Sequence, residues 1–146
     1  MSYRIRRIDP FWIAHPVVIA AAVVGMLLAL GGYAKNNIAL SIIGGVSMAG
    51  GVLAATKPAV SGVLGSLGFF GGLITFVILP NPQLADSPLF WKLVSTLFFA
   101  LLYMVLMDAL VLLVSALYNF FGNSVNLGGI HLDIEEDDEA VEEPAA

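Results

Sequence analysis

Four long runs of apolar residues divide the chain, and short polar connections separate them. The runs cover residues 11–33, 38–55, 60–79 and 89–121. A bilayer core about 30 Å thick is crossed by about 20 residues of α-helix at 1.5 Å per residue. The pattern therefore predicts an all-α integral membrane protein with about four transmembrane helices, a bundle that occupies residues 11–121.

The connections indicate how these helices follow one another. Only residues 56–59 separate the second run from the third, and such a short link predicts an antiparallel helical hairpin. Both of its helices are rich in glycine, so the bundle is expected to have a Gly-rich central hairpin. The last run follows a proline-rich connection, and Ser87-Pro88 at its end is typical of a helix start.

Residues 1–10 form a basic segment before the first run, with Arg4, Arg6 and Arg7. Asp9 is a candidate cap for a helix with Pro10 in its first turn, and His15-Pro16 offers a second start or a kink. A basic segment followed by an apolar run also describes a secretory signal peptide. The run is longer than a usual signal-peptide core and ends without a good cleavage site, which favours a transmembrane helix.

Charge is distributed very unevenly along the chain. Eight of the eleven acidic residues lie between Asp133 and Glu143, within an acidic tail of residues 122–146. The remaining chain carries six Lys and Arg against three acids, a net charge of +3. The acidic run should be solvated, a basic protein surface is its expected partner, and nucleic acid is excluded by the sign of its charge. Residues 125–134 are a candidate short strand that pairs with a partner.

Composition supports a bilayer as the solvent and removes several kinds of chemistry. The chain is 59% hydrophobic and 12% charged, with a mean hydropathy of +0.93, whereas soluble domains carry about 25% charged residues. It has no cysteine, which excludes disulfides, thiolate metal sites and a cysteine nucleophile. No Ser-His-Asp or HExxH pattern suggests a hydrolase.

Orientation is predicted from the positive residues next to the spans. An inward N-terminus puts the arginine cluster of residues 4–7 and Lys57 inside and leaves Lys35 and Lys92 outside. Cytoplasmic flanks are enriched in Lys and Arg. With an even number of crossings, both termini are expected in the cytoplasm.

Asp108 is the one acidic residue inside a predicted span, about halfway along it. An aspartate at the centre of a membrane helix costs about 2.5–3.5 kcal/mol on insertion scales. At 100° per residue, Ser115 and Asn119 lie within about 40° of it on the same helix face. Two hypotheses follow. In the first, the carboxyl is protonated, or is paired with a basic or hydroxyl group on another subunit, and only specifies packing. In the second, it is a titrating group on a proton or cation pathway.

The second and third spans carry small residues at matching intervals of three and four. The ridge on the second span contains Gly44, Ser47 and Gly51, and the ridge on the third contains Gly65, Gly68 and Gly72. Small side chains let membrane helices approach closely, so both ridges are predicted contact surfaces. The internal similarity also fits an inverted repeat of the transporter kind, but packing is the preferred interpretation.

No cofactor or metal is predicted from the sequence. The one residue considered as a ligand for a pigment or haem is His15, near the end of the first span. An interfacial histidine beside a proline needs no cofactor, and neither histidine has a second ligand at helical spacing.

These observations favour a small non-catalytic structural or assembly subunit of a larger membrane complex, with respiratory and photosynthetic assemblies as the settings considered. Its expected partners are the bilayer and either other membrane subunits or further copies of itself. The alternative is a small oligomeric transporter or channel, coupled to ions or protons, that uses Asp108.

Overall fold

The computed structural model describes residues 2–4, 7–124 and 131–133. Within them the chain is almost entirely helical. The helices are α1 (Pro16–Ala34), α2 (Ile38–Ala55), α3 (Pro58–Gly72), α4 (Pro82–Ala85) and α5 (Leu89–Ser124), and α3 continues as a π-helical segment over Leu73–Ile78. Two short strands, β1 (Ser2–Arg4) and β2 (His131–Asp133), lie near the ends of the chain.

Four of the helical stretches are long and apolar enough to cross a membrane. They are Pro16–Ala34, Ile38–Ala55, Pro58–Ile78 and Leu89–Gly122. This confirms the prediction of an α-helical, multi-pass membrane protein. Most large apolar side chains of these helices are exposed on the isolated chain, as expected where lipid or other subunits are the surroundings.

The first helix begins at the second of its two candidate starts. His15 is extended and caps α1, with its Nδ1 accepting a hydrogen bond from the main-chain N–H of Val17 at 3.3 Å. Pro16 occupies the first turn, where its missing N–H costs nothing. The predicted helix start at Asp9-Pro10 is wrong, because these residues instead contact the connection between α2 and α3.

Residues 9–12, the N-terminal strap, lie along the connection between α2 and α3. The main-chain N–H of Trp12 donates to the carbonyl of Ala55 at 2.7 Å, and that of Lys57 donates to the carbonyl of Pro10 at 2.8 Å. The Lys57 ammonium also donates to the carbonyl of the first strap residue and lies 3.7 Å from its carboxylate. The strap therefore satisfies main-chain groups that the end of α2 and the start of α3 leave open.

The turn between α1 and α2 is set by two asparagines. Asn36 has a positive φ of 52°, in the left-handed region that asparagine tolerates better than most residues. Asn37 then caps α2, because its side-chain oxygen accepts a hydrogen bond from the N–H of Leu40 at 3.1 Å. This tight turn makes α1 and α2 antiparallel neighbours.

The chain divides into two compact units. One is residues 9–115, which holds α1 to α4 and most of α5; the other combines residues 1–8 with the chain from residue 116 onward. In the second unit β1 pairs antiparallel with β2, with Ser2 opposite Asp133 and Arg4 opposite His131.

The strand predicted within residues 125–134 is thus present over residues 131–133, but its partner there is the chain's own N-terminal segment. The rest of that segment and the acidic run that follows lie outside the described residues.

Candidate functional site

The face of α3 that carries the predicted ridge packs on α5. A Cβ atom added at Gly68 would lie 3.0 Å from the carbonyl oxygen of Ala100, and one at Gly72 would lie 3.0 Å from that of Thr96. One at Gly65 would lie 3.0 Å from the Met104 sulfur. Residues later in α3 contact residues earlier in α5, so the two helices are antiparallel. We call this contact the α3–α5 seam.

Asp108 lies on the same seam, one helical turn beyond Met104. Its Oδ2 accepts a hydrogen bond of 2.6 Å from the hydroxyl of Ser61 on α3. The Asp108 side chain is fully buried, and its Oδ1 has no hydrogen-bond partner among the described residues. The carboxyl therefore has a hydrogen-bond partner within this chain, whereas a neutral carboxyl or a partner on another chain was expected from the sequence.

Ser61 was not identified as the partner from the sequence, because only the polar residues of α5 were considered. Ser61 precedes Gly65 by four residues on α3, and Asp108 follows Met104 by four residues on α5. If the small-residue ridge of α3 is extended by one turn toward its N-terminus, the Ser61 hydroxyl lies opposite the Asp108 carboxyl. The pairing depends on the register between α3 and α5. It therefore cannot be predicted from α5 alone.

The register also shows which part of α3 lies beside Asp108. Ser61 is in the first turn of α3, which begins at Pro58. Asp108 is therefore level with the beginning of α3, although it lies midway along the apolar part of α5. A carboxyl beside the end of a membrane helix costs less than one beside its middle, because water and headgroups are closer to the end.

Two other buried hydroxyls in residues 9–115, those of Thr96 and Thr56, donate to backbone carbonyls. Thr96 donates from Oγ1 to the carbonyl of Lys92 at 2.9 Å and lies 3.3 Å from that of Gly72. Thr56 donates to the carbonyl of Val52 at 2.8 Å. Such bonds to the carbonyl one turn back are usual for hydroxyl residues in helices. Ser115 is also buried, seven residues beyond Asp108 and on the same helix face.

Asn119, the third residue of the predicted polar stripe, belongs to the second unit and has a specific partner there. Its side-chain oxygen accepts a hydrogen bond from the N–H of Ile8 at 2.9 Å, and its side-chain nitrogen donates to the Ile8 carbonyl at 2.7 Å. The amide thus imitates the pairing of a neighbouring strand. This geometry fits an anchor for the N-terminal segment.

Replacing Asn119 with Ala should release this segment from α5. Each of the two bonds is worth about 0.5–1.5 kcal/mol, so exchange of the Ile8 amide hydrogen should become several-fold faster. Asn119→Asp is the matched control, because it keeps the acceptor for the Ile8 N–H and should retain most protection. Equal exchange in the parent and in Asn119→Ala would contradict the anchoring role.

The ridge on α2 packs on α1. Ser47 donates from its hydroxyl to the carbonyl of Ala21 at 3.1 Å. A Cβ added at Gly51 would lie 2.6 Å from the main-chain nitrogen of Ala22, and one at Gly44 would overlap the backbone at Ala29. We call this contact the α1–α2 seam.

The partner ridge on α1 was not predicted from the sequence. It consists of small residues at intervals of three, four and three: Ala22, Gly25, Ala29 and Gly32. The two predicted ridges therefore contact α1 and α5 and do not contact each other. A Gly-rich central hairpin packed on itself is not confirmed.

His15 lies at the start of α1 and uses Nδ1 as the helix cap. Residues 7–122, where side chains are described, contain no group of three His, Cys, Asp or Glu side chains that could hold a metal ion. The pigment or haem ligand considered at His15 stays a prediction.

The arrangement as a whole is suited to holding helices together. In the described part of the chain, Ser61 and Asp108 form a hydroxyl–carboxyl pair, and no imidazole contacts either of them. Comparison of the chain with protein-family models, with curated proteins and with solved structures finds no match in any of the three.

Proposed function

We propose that this protein is a non-catalytic structural or assembly subunit of a larger membrane complex. The observation that carries the proposal is the close approach of the helix backbones at the α1–α2 seam and the α3–α5 seam. At Gly44, Gly51 and Gly68 the backbones approach so closely that even a methyl group would meet main-chain atoms of the facing helix. Helices packed in this way gain dispersion contacts and leave no room for a hydrated path between them.

The buried polar groups support the same role. The Thr56 and Thr96 hydroxyls bond to backbone carbonyls, and one oxygen of Asp108 bonds to Ser61. A carboxylate oxygen buried without a donor would be costly, whereas a neutral carboxyl leaves only a carbonyl-like oxygen unpaired. We therefore assign Asp108 a packing role as a neutral group that fixes the register of the α3–α5 seam.

Purification in a mild detergent tests the proposal directly. We expect the chain to migrate with other membrane proteins in fixed stoichiometry, and respiratory and photosynthetic complexes are the assemblies to examine first. Recovery as a lone monomer or as an oligomer of this chain alone would overturn the proposal.

The second candidate is an ion- or proton-coupled transporter or channel, and one observation favours it. Asp108 Oδ1 is buried and has no donor in the described residues, so the carboxyl has an open coordination position. A transporting chain would use this oxygen to bind a proton or a cation. Ser115, buried on the same face, would be the next polar group.

Asp108→Asn separates the two functions. Asn keeps an acceptor for the Ser61 hydroxyl but cannot release a proton or carry a negative charge. We expect the variant to assemble normally and to keep most of any activity of the complex. Flux of protons or cations in vesicles with the parent, and none with the variant, would show that transport is the function. Ser61→Ala is the control, since it removes the hydrogen bond and keeps a carboxyl that can still bind and release a proton.

The acidic tail and the orientation belong to the same proposal. We infer that the tail is solvated, that it docks on a basic protein surface, and that both termini face the cytoplasm. Eight acidic residues would be repelled by an anionic leaflet and attracted to clustered Lys and Arg.

Labelling of single cysteines gives the orientation, because the natural chain has no cysteine. Asn36→Cys, in the α1–α2 turn, should react with an impermeant maleimide from outside the cell. Ala140→Cys, in the tail, should react only after the membrane is opened. Outside reaction at position 140 would contradict the orientation.

A further inference from the structure

The start of α3 is held differently from the starts of α1 and α2. His15 caps α1 and Asn37 caps α2, each through a side-chain hydrogen bond. Lys57 occupies the corresponding position before α3, and within residues 9–115 its side chain makes no capping bond. Only two residues separate α2 from α3, and the strap pairs with both of them. The start of α3 is therefore held by the strap.

The strap and this connection form a small antiparallel pairing. Phe11 and Thr56 face each other in a single β-bridge, and the two main-chain hydrogen bonds on either side of it measure 2.7 and 2.8 Å. Thr56 is buried, whereas Trp12 is 62% exposed. The strap thus has one side on the protein and one side open to the surroundings.

A chain of hydrogen bonds joins the strap to Asp108. The Pro10 carbonyl accepts from the main-chain N–H of Lys57 at 2.8 Å. The Lys57 carbonyl accepts in turn from the N–H of Ser61 at 3.2 Å. The hydroxyl of Ser61 donates to Asp108 at 2.6 Å. A movement of the strap that displaces Lys57 must therefore also displace the hydroxyl that is bonded to Asp108.

The turn that carries Ser61 is the part of α3 that opens most easily. The first turn of a helix has N–H groups without intrahelical partners, and helix ends open locally at a small cost in free energy. Asp108 is fully buried beside this turn. Opening of residues 58–61 would remove the hydroxyl and the main chain that face the carboxyl. By holding Lys57, the strap opposes this opening.

We propose that the N-terminal strap is a latch that controls access to Asp108. When the strap is paired with residues 55–57, the first turn of α3 is closed and the carboxyl is kept from water. When the strap is released, the turn opens and the carboxyl becomes accessible. The inference goes beyond the proposed function, because it concerns when this carboxyl is accessible and applies to a packing group as well as to a transporting one.

A disulfide across the β-bridge tests the latch with one protein in two states. Because Phe11 and Thr56 lie between the two main-chain bonds, their Cα atoms should be about 4.5 Å apart, as in other pairs of this kind. A disulfide spans that distance. The natural chain has no cysteine, so Phe11→Cys with Thr56→Cys forms a single crosslink. The oxidised protein is compared with the same protein after reduction and alkylation. Peptide mapping measures how fast a hydrophobic carbodiimide modifies Asp108.

We expect the reduced and alkylated protein to be modified at Asp108 at least about fivefold faster than the oxidised protein, the effect of losing one main-chain hydrogen bond. The parent, which has no thiol, should react at one rate after both treatments. Equal rates in the oxidised and reduced states would overturn the inference, since the strap would then have no influence on the carboxyl.

A second pair of variants changes the strap without cysteines. Trp12→Pro removes the N–H that donates to Ala55, whereas Trp12→Ala removes the exposed indole and keeps this donor. We expect only the proline variant to show both faster hydrogen exchange at the Lys57 amide and faster modification of Asp108. Faster exchange at Lys57 with an unchanged rate at Asp108 would overturn the inference, as would equal rates at Asp108 in the two variants.

These measurements fail or succeed separately from the proposed function. They follow one carboxyl in the purified chain, whereas the proposed function is tested by the proteins that purify with it. If the strap has no effect on Asp108, the latch is wrong and the structural role remains. If the parent purifies alone, the structural role is wrong and the latch can still be correct.

Discussion

Replacing Gly44 with Ala should destabilise the chain by about 1–3 kcal/mol, the usual cost of forcing extra atoms into a packed interior. The added methyl group would overlap the main chain of α1 at Ala29, and backbone cannot rotate away as a long side chain can. Gly44→Leu should separate α1 from α2 altogether. Thermal unfolding of the purified chain in detergent measures the first effect, and disulfide trapping across the seam measures the second.

The adjacent residue provides a matched control. Nothing lies within 4 Å of a Cβ added at Gly45, so Gly45→Ala should change stability by less than about 0.5 kcal/mol. Both variants add one methyl group to the same helix, one position apart. Equal losses at the two positions would show that helix conformation, and not the seam, sets the stability.

Gly68→Leu should open the α3–α5 seam and expose Asp108. A Cβ at Gly68 would already lie 3.0 Å from both the Ala100 carbonyl oxygen and a ring carbon of Tyr103. A leucine there must therefore displace α5, which would break the hydrogen bond between Ser61 and Asp108. Because Asp108 is fully buried in the parent, a hydrophobic carbodiimide should modify it slowly in the parent and rapidly in this variant.

Two other glycines on α3 make this prediction specific. Gly62→Leu should leave Asp108 protected, because a Cβ there meets nothing within 4 Å. Gly65→Ala should also be tolerated, since the atom it approaches is the sulfur of the flexible Met104 side chain. If Gly68→Leu is no more reactive than Gly62→Leu, then the seam is not what protects the carboxyl. Peptide mapping identifies the modified residue.

The largest parts of the fold follow from the sequence because they depend on local properties of the chain. Apolar runs of sufficient length identify four spans, and the bounds of α2 agree at both ends with the predicted 38–55. Small residues at intervals of three and four led to the prediction of close contacts on one face of α2 and one face of α3. Hydrophobicity and helical spacing can be read from one segment at a time, so no knowledge of its neighbours is required.

Only the tertiary structure decided which faces meet. The ridges on α2 and α3 were visible, but their partners on α1 and α5 were not, since one small-residue face fits many others. The Ser61–Asp108 pair depends on the same choice, because a shift of one turn along α5 would place Met104 or Leu112 opposite Ser61. Long-range register is a property of two helices and cannot be read from either alone.

At the ends of the chain, too, some features follow from the sequence and others only from the tertiary structure. Sequence alone indicated the basic start, the acidic run near the end and a candidate short strand within residues 125–134, since charge and composition are local. It did not indicate that this strand pairs with residues 2–4, or that Asn119 holds Ile8, which is 111 residues away. Main-chain hydrogen bonds look alike for nearly every residue type, so only the folded chain reveals which of them are made.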